Sequence, residues 1–129
     1  MERHASVEFV LLGARPFARH EGELTQSRTV GSLAVEFLSR SKIPFTGGDY
    51  GISKIRDRGG ELEVLSDTQM RAYGWCYTVD GKLSDVMADK FEIPAGSTAK
   101  IRWFYAYAFY DRGNWISYCT PADHLPAQE

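Results

Sequence analysis

The chain has 129 residues, of which 43% are hydrophobic and 25% charged, and its formal net charge is −2. This length predicts a single domain over residues 1–129, with a core over 6–119 that needs no metal to fold and a polar, frayed tail over 120–129. The balanced charge argues against a nucleic-acid partner, and no apolar run is long enough to predict a membrane span.

The N-terminal part predicts two strands joined by a turn. Residues 6–12, SVEFVLL, alternate apolar and polar side chains, which is typical of a strand with one buried face. Residues 13–22, GARPFARHEG, contain the Gly, Pro and charges of a turn. Residues 23–30, ELTQSRTV, follow as a mostly polar partner strand, which we expect at the edge of a sheet.

The next segment predicts one amphipathic helix. Thr29 is a suitable N-cap, and Pro44 ends the element. The apolar residues recur at helical spacing, so they are expected to pack the helix against a sheet: Val30, Leu33, Ala34, Phe37 and Leu38.

The remaining sequence predicts mainly strands. A Gly-rich bend precedes a short strand over 52–55, and the Asp80-Gly81 pair is typical of a type I′ hairpin turn. The stretch STAKIRWFYAYAFYDRGNWISYC then predicts a long strand, a DRGN turn and a last strand. We therefore expect an α+β, β-grasp-like fold: a mixed sheet, one amphipathic helix on one face and an added C-terminal strand.

Four segments in this order resemble the transcobalamin-like C-terminal domain family, a mostly bacterial group of β-grasp-like modules of largely unknown function. The segments are TVGSLAVEFL, GDYGISKI, YGWCYTVDGKLSD and IPAGSTAKIRWFYA, within residues 27–110. Two features depart from the family pattern: Asp80 stands where Asn is usual, and YDRGNWISYC extends beyond the usual end.

The resemblance implies an exported or surface-attached protein, periplasmic or secreted. MERHASVEF lacks the apolar region of a signal peptide, so export implies a leader that has been removed; a cytoplasmic protein is the alternative. Nothing in the sequence identifies a corrin site, and the cobalamin-closing role of the vitamin carriers is not carried over.

Two cysteines, Cys76 and Cys119, raise the question of a catalytic thiol. A nucleophilic cysteine needs a base, and no motif places a histidine beside Cys76. We predict instead that the two cysteines lie on adjacent or nearby strands and form a disulfide in an exported protein; two buried free thiols are the alternative.

Other chemistry is not indicated by the sequence. The chain has no Cys-x-x-Cys, no His-x-x-x-His and no clustered aspartate loop, so we predict no metal, no cofactor and no catalytic residue. Asp80, Asp85 and Asp89 are close together, but Lys82 and Lys90 lie among them, which is typical of a solvated charged loop.

The aromatic residues are the most informative feature of the sequence. Alternation places one set of rings on a single face of the long strand, and small Ala106 and Ala108 on the other face are expected to meet the helix. The rings would then point outward as a binding surface: Trp75, Tyr77, Trp103, Tyr105 and Tyr107. Cross-strand aromatic packing within a core is the alternative.

These features predict a non-enzymatic binding or interaction module that uses the aromatic sheet face. Its partner would be a protein, a peptide or a carbohydrate. The alternative is a structural accessory domain that assembles through a sheet edge, with the aromatic residues serving as core.

Overall fold

A computed structural model describes residues 4–13 and 15–126. Its elements in chain order are β1 (His4–Val10), β2 (Pro16–Glu23), β3 (Arg28–Thr29), α1 (Val30–Arg40), β4 (Phe45–Gly48), β5 (Gly51–Ile55), β6 (Leu62–Val64), β7 (Gln69–Val79), β8 (Lys82–Leu83), β9 (Glu92–Ile93), β10 (Ala99–Asp111) and β11 (Asn114–Pro121).

The main sheet is mixed, as the sequence predicts. Its strand order is β2-β1-β10-β7-β6, and β8 pairs with β7. β1 and β10 run parallel at the centre, whereas the other pairs are antiparallel. β11 pairs antiparallel with β10 over residues 106–111, beyond the part of β10 that pairs with β1. The sheet is therefore widened at that end by the added C-terminal strand.

The partner of β1 differs from the prediction. β2 covers 16–23, most of the segment predicted as a turn, and residues 23–30 do not form the predicted strand. Pro16 stands at the first position of an edge strand, where a missing N–H removes no ladder hydrogen bond. Gly13, with a positive φ of 75°, does lie in the connection between β1 and β2, whereas Pro16 and Gly22 lie within β2 and not in a turn.

The predicted helix is confirmed. The side chain of Thr29 accepts a hydrogen bond from the N–H of Ser32 at 3.1 Å, which caps the first turn. Val30, Ala34, Phe37 and Leu38 are buried on the side that faces the sheet. Burying Phe37 and Leu38 contributes about 1.5–3 kcal/mol each, which holds this short helix against the sheet.

The predicted Asp80-Gly81 turn is also confirmed. Both residues have positive φ, 52° and 82°, as a type I′ turn requires. The carboxylate of Asp80 accepts a hydrogen bond from the N–H of Lys100 at 2.8 Å, so this aspartate fixes the turn against β10.

The core lies on one side of the sheet, which we call the inner face. Phe9 of β1 packs against Phe37 of α1 with ring centroids 5.6 Å apart, and the β4–β5 hairpin buries Ile52 and Ile55 in the same core. In the described part of the chain, no helix combines the length and hydrophobicity needed to cross a membrane.

The prediction of a frayed C-terminal tail over 120–129 is wrong for residues 120–126, since β11 runs to Pro121. Ala122 and Pro126 are buried, and the N–H of Ala122 donates to the carbonyl oxygen of Tyr105 at 3.0 Å. Residues 127–129 of the predicted tail lie outside the described residues.

Candidate functional site

The aromatic residues predicted to form an exposed surface lie on the inner face, so their predicted exposure is wrong. Four of the five side chains are at most 8% exposed and Tyr107 is partly buried; the four are Trp75, Tyr77, Trp103 and Tyr105. Tyr77 and Trp103 pack together with ring centroids 5.1 Å apart. Their observed role is that of core residues.

The polar ends of three of these rings are also occupied within the protein, whereas the buried indole nitrogen of Trp103 has no hydrogen-bond partner among the residues that the structure describes. The indole N–H of Trp75 donates to the carbonyl oxygen of Arg58 at 2.9 Å. The hydroxyl of Tyr77 donates to the carbonyl oxygen of Val86 at 2.6 Å. The Tyr105 hydroxyl donates to a carboxylate oxygen of Glu61 at 2.8 Å, and burial first, then this carboxylate, raises the pKa of Tyr105. These groups are therefore used to stabilise the core.

The orientation of the sheet follows from polar residues that the prediction did not weigh. Lys100 and Arg102 alternate with Ile101 and Trp103, and Glu8 is paired in register with Arg102 on the opposite, outer face. Arg102 and Glu8 form an ion pair of 2.6 Å there. Turning the aromatic side outward would place these charges against the helix, which is costly, and would also lose the favourable burial of the rings.

The far half of the outer face, beyond Arg102, is apolar. Strand register places ten uncharged residues on this side of β6, β7, β10 and β11, and we call them the outer apolar face: Leu62, Val64, Met70, Ala72, Gly74, Ala106, Ala108, Tyr110, Trp115 and Tyr118. None of these ten described side chains carries a charge. This face was not predicted from the sequence.

Small residues form the floor of the outer apolar face. Ala106 is opposite Gly74, and Ala108 is opposite Ala72. These four residues lie beneath a shallow depression of about 190 Å³, which is also lined by Tyr118. The prediction that Ala106 and Ala108 meet the helix is wrong, because they lie on the face away from it.

Two raised borders flank this floor. On one side Leu62 and Val64 of β6 are 58% and 76% exposed. On the other side Trp115 packs edge-on against Tyr110 at 5.2 Å and contacts Tyr118 at 6.2 Å. Trp115 and Tyr118 remain 42% and 65% exposed, so large apolar groups face solvent on both sides of a flat floor.

The predicted disulfide is confirmed and borders the same face. Cys76 on β7 bonds to Cys119 on β11, with Cα atoms 5.8 Å apart. β10 lies between these two strands, and both cysteines line the depression described above together with Ala106 and Ala108. Cys119 has a positive φ of 56° at an irregularity of β11, which brings it towards Cys76. Neither cysteine is therefore available as a nucleophilic thiol in this state.

A second concave region lies between β2 and α1, with a volume of about 430 Å³. Its basic side chains are already paired. Arg28 and Arg40 contact the carboxylate of Glu36 at 2.9 Å and 3.1 Å, and the hydrogen bond from Arg28 is the main cause of the lowered pKa of Glu36. His20 stacks on Phe37 at 5.1 Å. The basic groups of this region are therefore used within the protein.

The acidic residues considered as metal ligands do not come together. Among residues 4–13 and 15–126, no three His, Cys, Asp or Glu side chains form a group that could hold a metal ion. Asp80 is used by its turn, as described above, and one carboxylate oxygen of Asp89 is buried without a hydrogen-bond partner.

The chain is similar to one protein family and to one solved structure. The family model described as "Domain of unknown function (DUF4430)" matches residues 34–106, more than half of the chain. No curated protein matches the sequence. A crystal structure from Ruminococcus gnavus, provisionally described as that of a metal binding protein, is 18% identical with a TM-score of 0.43. The match covers 82% of this chain and 100% of the neighbour.

Proposed function

Because the chain belongs to the DUF4430 family of domains of unknown function, we propose its function from its own surface. It is a non-enzymatic interaction module that binds a protein or peptide through the outer apolar face. The observation that carries this proposal is the exposure of Leu62, Val64, Trp115 and Tyr118 around an uncharged floor.

An exposed surface of this kind is uncommon unless it is covered by a partner. Soluble proteins normally scatter single apolar residues over their surface, whereas a contiguous apolar patch marks an interaction site. Tyr and Trp are also enriched among residues that dominate binding energy, because they bury a large area and lose little rotamer freedom. Trp115 and Tyr118 are therefore the proposed anchors of the interface.

The chemistry of the face favours a polypeptide over a carbohydrate. A sugar can stack on Trp115, but its hydroxyl groups need polar partners once they leave water. The outer apolar face has only the Tyr110 and Tyr118 hydroxyls, the indole N–H of Trp115 and the backbone to offer them. An apolar protein or peptide surface loses less hydration on the same contact.

The scaffold also supports binding because it holds the face in place before a partner arrives. β7 and β10 pair over eleven consecutive positions, from Val79–Ile101 to Gln69–Asp111. The disulfide ties β11, which carries both proposed anchors, to β7. A preorganised surface binds more tightly because fewer groups must be ordered on association.

Export and the finer family assignment belong to this proposal. Disulfides persist mainly in oxidising compartments, so the Cys76–Cys119 bond favours an extracytoplasmic location. β1 and β10 run parallel at the centre of a mixed sheet, and one helix packs across that sheet. This arrangement supports a β-grasp-like assignment. The resemblance to the transcobalamin-like C-terminal domains is consistent with this arrangement.

A second candidate function is a structural domain that assembles through its sheet edge. The burial of the inner aromatic residues favours it, since that hypothesis treats them as core. β6 lies at the end of the strand order, and antiparallel alternation directs the backbone groups of Leu62 and Val64 away from β7. An exposed apolar edge of this kind is a template for pairing with another strand.

Site-specific photo-crosslinking in the native organism tests the proposal. Tyr118 is replaced by p-benzoylphenylalanine, and the matched control carries the same group at Tyr50, which is 54% exposed on the β4–β5 turn. We expect a discrete protein adduct from position 118 that is missing from position 50. Adding Ala108→Arg, which places a charge on the floor, should abolish the adduct.

The result also separates the two candidates. A partner of a different mass supports the interaction module, whereas an adduct of twice the chain mass that survives Ala108→Arg supports assembly through the edge. Equal labelling from both positions, or no adduct from position 118, would contradict the proposed interaction surface.

A further inference from the structure

The C-terminal tail, residues 122–126, is fastened across the inner side of β6 and β7 by polar contacts. At its far end the guanidinium of Arg58 donates to the carbonyl oxygen of Pro126 at 3.1 Å. At its near end Ala122 is bound to β10, as described above. Between these points the only described side chain of the tail that hydrogen-bonds to the sheet is that of His124.

His124 lies between two carboxylates. Its Nε2 is 3.0 Å from a carboxylate oxygen of Glu63 on β6, and its Nδ1 is 2.7 Å from one of its neighbour Asp123. The hydroxyl of Tyr73 on β7 lies 3.2 Å from the same Nε2 and donates to the other oxygen of Glu63 at 3.0 Å. Arg71 also donates to Glu63, at 3.0 Å.

This geometry favours a proton on both imidazole nitrogens. An ionised carboxylate only accepts hydrogen bonds, so each ring nitrogen that faces one must donate. A neutral imidazole has a single N–H, and its other nitrogen would direct a lone pair at a carboxylate oxygen. The contacts of His124 with Glu63 and Asp123 are therefore those of an imidazolium ion.

We propose that His124 is a pH-sensitive clasp that holds the tail closed over Glu63 and Tyr73 while its ring is doubly protonated. Loss of one ring proton releases the middle of the tail, residues 123–125, from the sheet, while Ala122 and Pro126 keep their contacts with Tyr105 and Arg58. This inference does not depend on the proposed interaction surface, which lies on the outer side of the sheet.

The surrounding charges define the pH range of the clasp. The hydrogen bonds that the ring donates to Asp123 first, then to Glu63, raise the pKa of His124, and the hydrogen bond with His124 is the main cause of the lowered pKa of Glu63. The same histidine lowers the pKa of Asp123. Arg71 is the opposing cation next to Glu63, and Tyr73 stays protonated because burial and then Glu63 raise its pKa to about 12.

The sign of the effect follows from these directions. A group whose pKa is raised on folding stabilises the closed tail below its unfolded pKa, about 6.5 for histidine, and loses that effect as pH rises through the raised value. A group whose pKa is lowered stabilises it above the unfolded pKa, about 4.3 for Glu63, and loses the effect as pH falls through the lowered value. The clasp is therefore closed in mildly acidic solution and open in alkaline solution.

NMR of the full chain tests the clasp. We would measure the heteronuclear NOE of residues 123–125 at pH 5.5 and pH 8.5, together with the titration of the His124 ring. In the wild type the NOE should be that of ordered backbone at pH 5.5 and should fall at pH 8.5. In Glu63→Gln the ring titration should move towards lower pH, because an ionic acceptor has been lost.

Two variants control the experiment. His124→Leu should show the open tail at both pH values, while the resonances of the sheet stay dispersed. His20→Gln removes a histidine that stacks on Phe37 on another part of the protein and should leave the tail response intact. An unchanged tail NOE in the wild type as His124 titrates, or a pH response that persists in His124→Leu, would overturn the proposal.

Discussion

Removing the disulfide between Cys76 and Cys119 should destabilise the folded protein strongly without changing its fold. The two cysteines are 43 residues apart. For a loop of this length the chain-entropy expression gives about 13 cal/mol/K, or about 4 kcal/mol at 25 °C. β11 remains hydrogen-bonded to β10 without the bond, so the effect acts mainly through a less restricted unfolded state.

Urea unfolding of Cys76→Ala/Cys119→Ala measures this loss. We expect a lower midpoint, a free energy of unfolding reduced by about 4 kcal/mol, and an m-value equal to or above that of the wild type. Wild-type protein reduced with a phosphine is the matched control and should agree with the variant. A loss below about 1 kcal/mol in both samples would refute the reasoning from loop length. Alkylation of two thiols in the native, unreduced protein would refute the bond itself.

Three further predictions concern packing, charge and pH. Gly31→Ala should destabilise the protein by about 2 kcal/mol despite the better helix propensity of Ala, because its Cβ would lie 1.6 Å from the carbonyl oxygen of Asp49. Gly51→Ala is the control, since its Cβ meets nothing within 4 Å, and equal thermal unfolding of the two variants would contradict the account. Arg102→Met should cost about 2–3 kcal/mol in chemical unfolding because it leaves the buried carboxylate of Glu8 unpaired. Glu8→Gln/Arg102→Met should cost less than that single change, and a larger loss in the double variant would show that the pair is not the cause. The pKa of Tyr73 is raised to about 12 in the folded protein, so the unfolded tyrosine ionises at lower pH and stability should fall as pH rises from about 10 towards 12. Tyr73→Phe should reduce this fall, and an unchanged pH dependence of the free energy of unfolding in the variant would contradict the prediction.

Much of the fold could be predicted because local signals agreed with the tertiary structure. The helix has a capping residue, Thr29, and a regular apolar stripe, and both act within a few residues. The Asp80-Gly81 turn has a similarly local cause in its two positive φ angles. The edge strand β2 was missed because Pro16 and Gly22 are typical of turns, and only pairing with β1 makes the segment a strand.

The orientation of the aromatic face could have been predicted from charge alternation. Ala106 and Ala108 suggested a close approach to the helix, but Lys100 and Arg102 on the same side require an outward orientation. The outer apolar face was harder to find, because its members come from four strands and meet only through register. Leu62 and Trp115 are more than 50 residues apart in the chain, and no local pattern connects them.

The contacts of the tail could not be predicted from spacing for the same reason. His124 lies 61 residues from Glu63, and its pairing depends on the course of the chain after β11. The disulfide was accessible to prediction because the chain has only two cysteines, which leaves one pairing within the chain.

The exposure of the three tryptophans tests the central claim most directly, because the proposed interaction surface depends on which side of the sheet faces solvent. The protein would be labelled with 5-fluorotryptophan, and its ¹⁹F resonances recorded with a soluble paramagnetic gadolinium chelate. We expect the gadolinium chelate to attenuate the Trp115 resonance strongly and to leave those of Trp75 and Trp103 protected. The Trp115 resonance is identified as the one that Trp115→Phe removes from the spectrum. Attenuation of the Trp75 or Trp103 resonance in the folded protein, with that of Trp115 protected, would contradict the account.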